Sequence, residues 1–286
     1  MFLLASLPLI ASCGFGDDGG KGRPDAAVDG QPDTPVVYTD HLLISEISPT
    51  GAEFVEIWNP TNRTIDLTHY FLSDMGNYWK VPSTVPPIPD STDFYAEFPS
   101  GATIASDAVI TIAFDTGSFT TKYPSVTPTY TLGDAAAGTP KMGRVVLRSA
   151  NMADLPKVSD SGEHIILFYW DGASDLVKDV DIVLAGTGTT GGNVLQAKEP
   201  VDGPDSDTNA SSYKTDAGTL GGGMSDAFSG DQSYKRRTLE TGAESQNGTG
   251  NGITGDDETT EALKSTWDGD LAAPLSAPNP GVAPVI

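Results

Sequence analysis

The acidic stretch of residues 202–216 carries the oxygen side chains with which proteins bind calcium. Four of these side chains stand at positions 1, 3, 5 and 12 of a calcium-type loop, and a fifth lies just upstream. The stretch lacks the glycine at position 6 and the glutamate at position 12 of a helix-loop-helix site. Two interpretations are left: an irregular calcium loop, or a solvated acidic loop without metal. The predicted ligands are Asp202, Asp205, Asp207, Asn209 and Asp216.

Glu46 and Glu56 lie in two consecutive β-patterned runs, so we expect them on neighbouring strands. A pair of carboxylates can perform general acid-base catalysis, as in glycoside hydrolysis. Carboxylates on adjacent strands also accept hydrogen bonds from buried loop amides, which is a structural role. We favour the structural role and predict no catalytic residues in this chain.

Other motifs for catalysis or cofactor binding are incomplete. The chain has no Gly-x-Ser-x-Gly elbow, and its three histidines, His41, His69 and His164, lack the close spacing of a zinc site. We expect these histidines to be ordinary polar residues at strand ends. Residues 186–191 spell Gly-x-Gly-x-x-Gly, but no helix follows to face a pyrophosphate, so we interpret them as a glycine loop. The sequence predicts a protein that is not an enzyme and has no cofactor, with calcium as the open alternative.

Two further segments have both a structural and a binding interpretation. Asp256, Asp257 and Glu258 are expected to cap a short helix over residues 261–265 rather than to bind metal. The aromatic pair within residues 77–79 either packs in the core or forms a stacking platform for a sugar or peptide. We favour core packing for this pair.

The net charge of −23 and the isoelectric point near 4.1 exclude some classes of partner. Nucleic-acid binding requires clustered lysine and arginine residues, and an anionic lipid surface repels an acidic chain. We therefore predict no nucleic-acid partner. A cation, or a neutral or basic partner, is compatible with this charge.

The first twelve residues are apolar or small and end directly before Cys13, the only cysteine. A lone cysteine cannot form a disulfide within the chain. Residues 10–13 resemble the lipobox of bacterial lipoproteins, although the segment lacks a basic beginning. The resemblance implies removal of residues 1–12 and acylation of Cys13, and hence attachment to a membrane through a lipid anchor. Because Gly14 follows instead of an aspartate, we expect an outer-membrane lipoprotein of the bacterial cell envelope, exposed to the periplasm or the cell surface.

The chemistry-bearing residues are distributed over a chain with the composition of an all-β fold. Its 32 glycines and 21 prolines are typical of short strands joined by tight turns. Residues 14–35 have almost no apolar content, and residues 13–38 are predicted to form the acylated cysteine and a disordered tether after it. Six segments have the length and the β-branched or aromatic content of strands: residues 42–47, 52–58, 108–114, 144–148, 164–170 and 176–184.

The run from residue 41 to residue 74 resembles the opening of a lamin-tail domain. Asp181 falls at one of the acidic positions of that family. The residues that match the opening are Ile44, Glu46, Glu53, Phe54, Val55, Glu56, Ile57, Asn59, Ile65, Asp66, Leu67, Ser73 and Asp74. Later segments resemble further parts of the family in the same order: residues 98–114, 161–172, 176–183, 233–239 and 266–281.

The lamin-tail resemblance implies an immunoglobulin-like β-sandwich over residues 39–286, with long loop insertions, one of them at about residues 186–231. The family has no known common activity. The resemblance therefore implies a non-catalytic binding or scaffolding module for a protein or glycan partner. Two alternatives stay open: a calcium-stabilised adhesin, and a secreted hydrolase that uses carboxylates.

Overall fold

Two five-stranded sheets form the body of the computed structural model, which describes residues 40–90, 92–148, 156–159, 162–186, 195–218, 231–240, 248–268 and 275–286. The strands in chain order are β1 (Leu43–Ser48), β2 (Phe54–Trp58), β3 (Ile65–Asp66), β4 (Tyr70–Ser73), β5 (Phe94–Glu97), β6 (Thr103–Ile104), β7 (Val109–Ala113), β8 (Tyr130–Thr131), β9 (Arg144–Leu147), β10 (Gly162–Tyr169), β11 (Lys178–Gly186) and β12 (Tyr234–Lys235).

One sheet has the order β12-β1-β2-β7-β8 and the other the order β11-β10-β4-β5-β9, while β3 and β6 form a separate pair. Among the described strands, β7 and β8 run parallel and the other pairs are antiparallel. The helices are short: α1 spans Thr116–Lys122, α2 spans Leu263–Thr266, and two 3₁₀ helices span Tyr78–Lys80 and Glu258–Thr260. The structure confirms the predicted all-β sandwich.

The six predicted strands correspond to β1, β2, β7, β9, β10 and β11, and no end differs by more than two residues. The strands outside these six segments are β3, β4, β5, β6, β8 and β12, which are two to four residues long. Of these, β12 lies within residues 233–239, where the lamin-tail resemblance implies a strand. A strand of this length does not show an alternating pattern, so its position is decided by the strand beside it.

One hydrophobic core joins the two sheets. Ile44 and Val55 of the first sheet and Leu72 and Phe168 of the second belong to this core and are almost completely buried. Alternation of side chains along each strand directs one set of residues from both sheets into the shared layer, as in other sandwiches.

The outer face of the first sheet is covered as well. Phe54 of β2 packs edge-to-face against Phe119 of α1, with ring centroids 5.7 Å apart. Asp115 caps α1 by accepting a hydrogen bond of 2.7 Å from the backbone N–H of Ser118. Elsewhere on this face, Asn279 and Gly281 of the C-terminal segment contact the side chains of Glu46 and Glu56. β1 and β2 are buried along their whole length, including these two glutamates.

No helix in the described part of the chain has the length and apolar character to cross a bilayer. Cys13 and the predicted tether lie outside the described residues, as does most of the glycine motif at residues 186–191. The domain boundaries and the lipid anchor stay predictions.

Candidate functional site

Glu46 and Glu56 face each other across β1 and β2, as the sequence predicts. The C-terminal segment closes over them: the backbone N–H of Asn279 donates to Glu46 Oε1 at 3.2 Å, and that of Gly281 donates to Glu56 Oε1 at 2.5 Å. Glu46 also accepts a hydrogen bond of 2.6 Å from the Ser233 hydroxyl. In this geometry the two carboxylates hold the end of the chain against the sheet.

Burial changes the acidity of this pair. Desolvation raises the pKa of Glu56 to about 8, against the opposing hydrogen bonds from the Thr111 hydroxyl and the Gly281 N–H. Desolvation also raises the pKa of Glu46, and the hydrogen bond from Ser233 opposes the rise. Raised pKa values are typical of catalytic acids, but here they accompany hydrogen bonds to the chain itself.

The predicted calcium loop is closed at its base by a bridge between Val201 and Ser211. Asp205 and Asp207 are exposed, and each accepts a hydrogen bond from the backbone N–H two residues further on, at 3.0 and 2.7 Å. These are Asx-turn hydrogen bonds, which shape the loop without a metal. The donor of the second hydrogen bond is the backbone N–H of Asn209, a residue that is also exposed.

Asp216, the last predicted ligand, binds a lysine instead. Both of its carboxylate oxygens lie 2.9 Å from Lys198 Nζ, and its Oδ1 also accepts a hydrogen bond of 2.7 Å from Asn251. The same ammonium group contacts Asp179 Oδ2 at 2.7 Å, and Asp179 accepts a further hydrogen bond of 2.6 Å from the Tyr78 hydroxyl. This buried network separates Asp216 from the other predicted ligands.

The fold brings two predicted ligands, Asp202 and Asp205, together with a third residue. Asp175 lies in the turn before β11, and one carboxylate oxygen from each of the three falls within 4.8 Å of the others. Asp175 already accepts hydrogen bonds from the Gly203 N–H at 2.8 Å and the Ser211 hydroxyl at 2.6 Å. The sequence offered no local signal for Asp175, because it precedes the acidic stretch by a whole strand.

A buried ionic cluster surrounds Arg236, which follows β12 and is 2% exposed. Its guanidinium contacts Asp181 Oδ2 and Glu261 Oε1, both at 2.7 Å, and donates to the backbone carbonyl of Ile44 at 2.8 Å. The guanidinium also lies over the ring of Trp267, 4.9 Å from its centroid. Arg236 thereby connects β1, β11 and the segment around α2.

His41 extends this cluster at the start of the domain. Its Nε2 lies 2.9 Å from Glu240 Oε2 and its Nδ1 lies 3.1 Å from Asp40 Oδ1. Desolvation would lower the pKa of His41, but the hydrogen bonds with Asp40 and Glu240 outweigh it and hold that pKa well above its usual value. Atoms of His41, Glu240 and Glu258 that can bind a metal lie within 4.8 Å of one another.

The other histidines occupy different surroundings. His69 lies in the turn before β4 with a positive φ of 78°, and His164 is buried within β10 beside Glu163. The expectation of ordinary strand-end residues fits His69 but is wrong for His41 and His164, because tertiary packing buries both among charged groups.

Asp257 and the aromatic pair take structural roles. Asp257 caps the 3₁₀ helix Glu258–Thr260 by accepting from the Thr259 N–H, so the cap precedes the predicted helix by one turn. The aromatic side chains of Tyr78 and Trp79 are each 1% exposed, which confirms core packing.

Comparisons with known proteins add little. No protein-family model matches the chain, and no curated protein matches it. The chain is similar to the crystal structure of a DUF4876 family protein from Bacteroides thetaiotaomicron, a bacterial domain of unknown function. The two share 13% sequence identity with a TM-score of 0.46, over 87% of this chain and 75% of the other. This similarity assigns neither a family nor a function, and the lamin-tail resemblance stays a prediction.

Proposed function

We propose that this chain is an outer-membrane lipoprotein of a bacterial cell envelope, anchored at Cys13, whose lamin-tail-type sandwich is a non-catalytic module that binds a protein partner. The observation that carries the proposal is an exposed apolar loop. Val85 and Ile88 are 82% and 76% exposed, and they alternate with the prolines of residues 82–89.

The loop is built to present these side chains. Its ends are fixed, since Trp79 and Phe94 on either side are buried in the core. Proline restricts the backbone, so less conformational entropy is lost when such a loop binds. Proline-rich segments with exposed apolar side chains are recognised by protein grooves. A single exposed apolar residue needs no explanation, but two of them on a stiff loop support a contact surface.

A protein partner suits the loop better than a glycan. Sugar binding in open sites relies on exposed aromatic rings, and the rings of Tyr78 and Trp79 beside the loop are buried. The net charge of −23 favours a partner whose surface is neutral or basic. We therefore expect an apolar groove with a neutral or basic rim on the partner.

The residues that carry the lamin-tail resemblance support a structural rather than a catalytic use of its motifs. Asn59 is buried and donates its side-chain amide to the carbonyls of Arg63 and Ile104 at 2.8 and 3.0 Å. Asp181 binds Arg236, and the two lie in residues 176–183 and 233–239, which both resemble segments of the family. Each motif residue thus ties separate segments together. The rival proposal, a carboxylate hydrolase, would need Glu56 released from the C-terminal segment.

The experiment measures binding by the full-length lipidated protein in detergent. Cross-linking to envelope extract identifies partners, which are then purified and titrated. The double variant Val85→Ser, Ile88→Ser should bind more weakly, with a dissociation constant raised at least about tenfold, equivalent to about 1.4 kcal/mol. The matched control, Val282→Ser with Val285→Ser, removes two other exposed apolar side chains and should leave it unchanged. Equal affinity for both double variants, or saturable binding to a glycan alone, would overturn the proposal.

A further inference from the structure

We propose that His41, Glu240 and Glu258 form a binding site for a divalent transition-metal ion, with Zn²⁺ as the best match to the donor set. The site goes beyond the proposed function and does not depend on it. It would fasten the start of the described domain, because His41 lies two residues before β1.

The histidine is oriented as a metal ligand. Asp40 Oδ1 lies 3.1 Å from Nδ1, which leaves Nε2 directed at Glu240 Oε2, 2.9 Å away. Metal-bound histidines commonly donate their second ring N–H to a carboxylate in this way, which fixes the tautomer and the ring orientation. All three candidate ligand atoms lie within 4.8 Å of one another. Zinc bonds of about 2.0–2.2 Å to nitrogen and oxygen need only small side-chain movements from this starting point.

Glu258 supplies an independent observation. It is 2% exposed, and its Oε1 atom is buried without a hydrogen-bond partner. Its backbone is held in place by the 3₁₀ helix that Asp257 caps. A buried carboxylate oxygen without a donor is costly, and such groups are normally hydrogen-bonded or bound to metal. The geometry therefore points to a cation beside Glu258.

The charges around the site lead to the same conclusion. Arg236 binds Asp181 and Glu261 at 2.7 Å, but its nearest approach to Glu240 is 3.8 Å. The positive charge of Arg236 is therefore balanced mainly by Asp181 and Glu261, and it compensates the charge of Glu240 only weakly. His41 faces Glu240 and Glu258 as the third ionisable group of the site. A divalent ion would displace the protons held there, so that the imidazole binds as a neutral ligand and the two carboxylates balance the ion.

The donor set selects the kind of ion. Calcium and magnesium prefer oxygen ligands alone, whereas one imidazole with two carboxylates suits zinc and related transition metals. Two of the ligands border surface clefts: Glu258 lines one of about 670 Å³ and His41 lines a second of about 380 Å³. Three protein ligands leave a fourth position for water.

Metal binding is measured on the full chain, stripped with chelator, in a Cys13→Ser background so that the thiol does not compete. We expect one Zn²⁺ per chain after dialysis, and a melting temperature raised by about 5 °C at a hundredfold excess over the dissociation constant. Cobalt substitution should produce visible d–d absorption. Calcium should not displace the bound zinc.

Two variants separate ligation from folding. His41→Ala should lose zinc binding but also removes the ion pairs of the cluster, so it can fail to fold. Glu258→Gln keeps the shape and removes an unpaired buried carboxylate, so without metal it should melt at or above the wild-type temperature while its zinc affinity falls at least about tenfold. Asp202→Asn with Asp205→Asn, in the other acidic group, should leave zinc binding intact. Absence of stoichiometric zinc, or unchanged affinity in Glu258→Gln, would overturn the proposal.

Discussion

At the scale of single residues, buried carboxylates connect distant parts of this chain. Glu46 and Glu56 accept backbone N–H groups from the C-terminal segment, and Asp181 accepts the Ile44 N–H at 2.6 Å. Each of these hydrogen bonds stabilises a tertiary contact, while desolvation opposes the charged form of the acid. The free energy of unfolding must therefore depend on pH.

Replacing Glu56 by glutamine should make the protein less sensitive to alkaline pH. The pKa of Glu56 is about 8 in the folded protein and 4.5 for the unperturbed side chain, so the folded state holds an extra proton between these values. Its stabilising effect is complete below pH 4.5 and is lost as pH rises through 8. Between pH 6 and 8 the wild type should lose on the order of 2 kcal/mol through this group, and Glu56→Gln should not. Urea unfolding at each pH measures the difference.

Glu199→Gln is the control for this experiment, because Glu199 is an exposed carboxylate paired with Lys80 on the surface. It should reproduce the wild-type pH dependence. Part of that dependence will persist in Glu56→Gln, since burial also raises the pKa of Glu163 to about 8. A Glu56 variant with the full wild-type dependence would mean that Glu56 does not hold its proton at neutral pH.

At the scale of elements, several strands are too short to be stable by themselves and rely on segments without regular structure. The C-terminal segment illustrates this: Ser276 forms a bridge with Ser233, and Asn279 and Gly281 donate to the two glutamates. The segment therefore works as part of the first sheet, although it contains no strand among its described residues.

Removing residues 279–286 should destabilise the sandwich by about 3 kcal/mol, because two buried carboxylates each lose a backbone donor. Removing only residues 284–286 should have little effect, since Val285 is 96% exposed. Both deletions are compared by urea unfolding. If the two deletions proved equally mild, the hydrogen bonds of Asn279 and Gly281 would not contribute to stability.

The acidic loop gives a prediction that distinguishes two sets of calcium ligands. If calcium binds, the structure groups Asp175 with Asp202 and Asp205, while Asp207 closes an Asx turn. Calcium should then raise the melting temperature by a few degrees, on the order of the mass-action effect. Asp202→Asn with Asp205→Asn should abolish the shift, and Asp207→Asn should retain it.

The opposite outcomes are equally informative for this loop. A shift lost in Asp207→Asn would favour the ligand set that the sequence predicts. A wild-type melting temperature indifferent to calcium and to chelator would leave a solvated acidic loop.

At the scale of the whole molecule, one hydrophobic core extends from Leu42 to Leu275 and joins both sheets. The ionic cluster around Arg236 and the network around Lys198 lie at its border and link segments far apart in sequence. Truncation inside residues 40–286 should therefore affect the fold as a unit, whereas changes in the predicted tether should affect only location.

Cys13→Ser should release the protein from membranes without changing its melting temperature. Acylation of one cysteine by several chains gives firm attachment, and the substitution removes the attachment point. Wild type and variant, expressed with the native export signal, are compared by membrane flotation. Ser12→Ala, beside the cysteine, serves as the control and should still float. Equal solubility of wild type and Cys13→Ser would refute the anchor.

The local pattern of the chain determined the fold class and the longer strands. β1, β2, β7 and β10 are runs of β-branched, aromatic and other apolar residues bounded by turn residues, and such runs have strand geometry wherever they pair. The spacing of Glu46 and Glu56 likewise sufficed to place them on neighbouring strands, because one hairpin connects those strands.

Tertiary structure alone decided which side chains from distant segments meet. His41 is separated from Glu240 and Glu258 by most of the chain, and Asp175 meets Asp202 where the bridge between Val201 and Ser211 closes the loop. No local spacing encodes these contacts, since they arise when both sheets and the closing segments pack on one core. Residue types indicate which chemistry is available, and long-range packing determines where it is assembled.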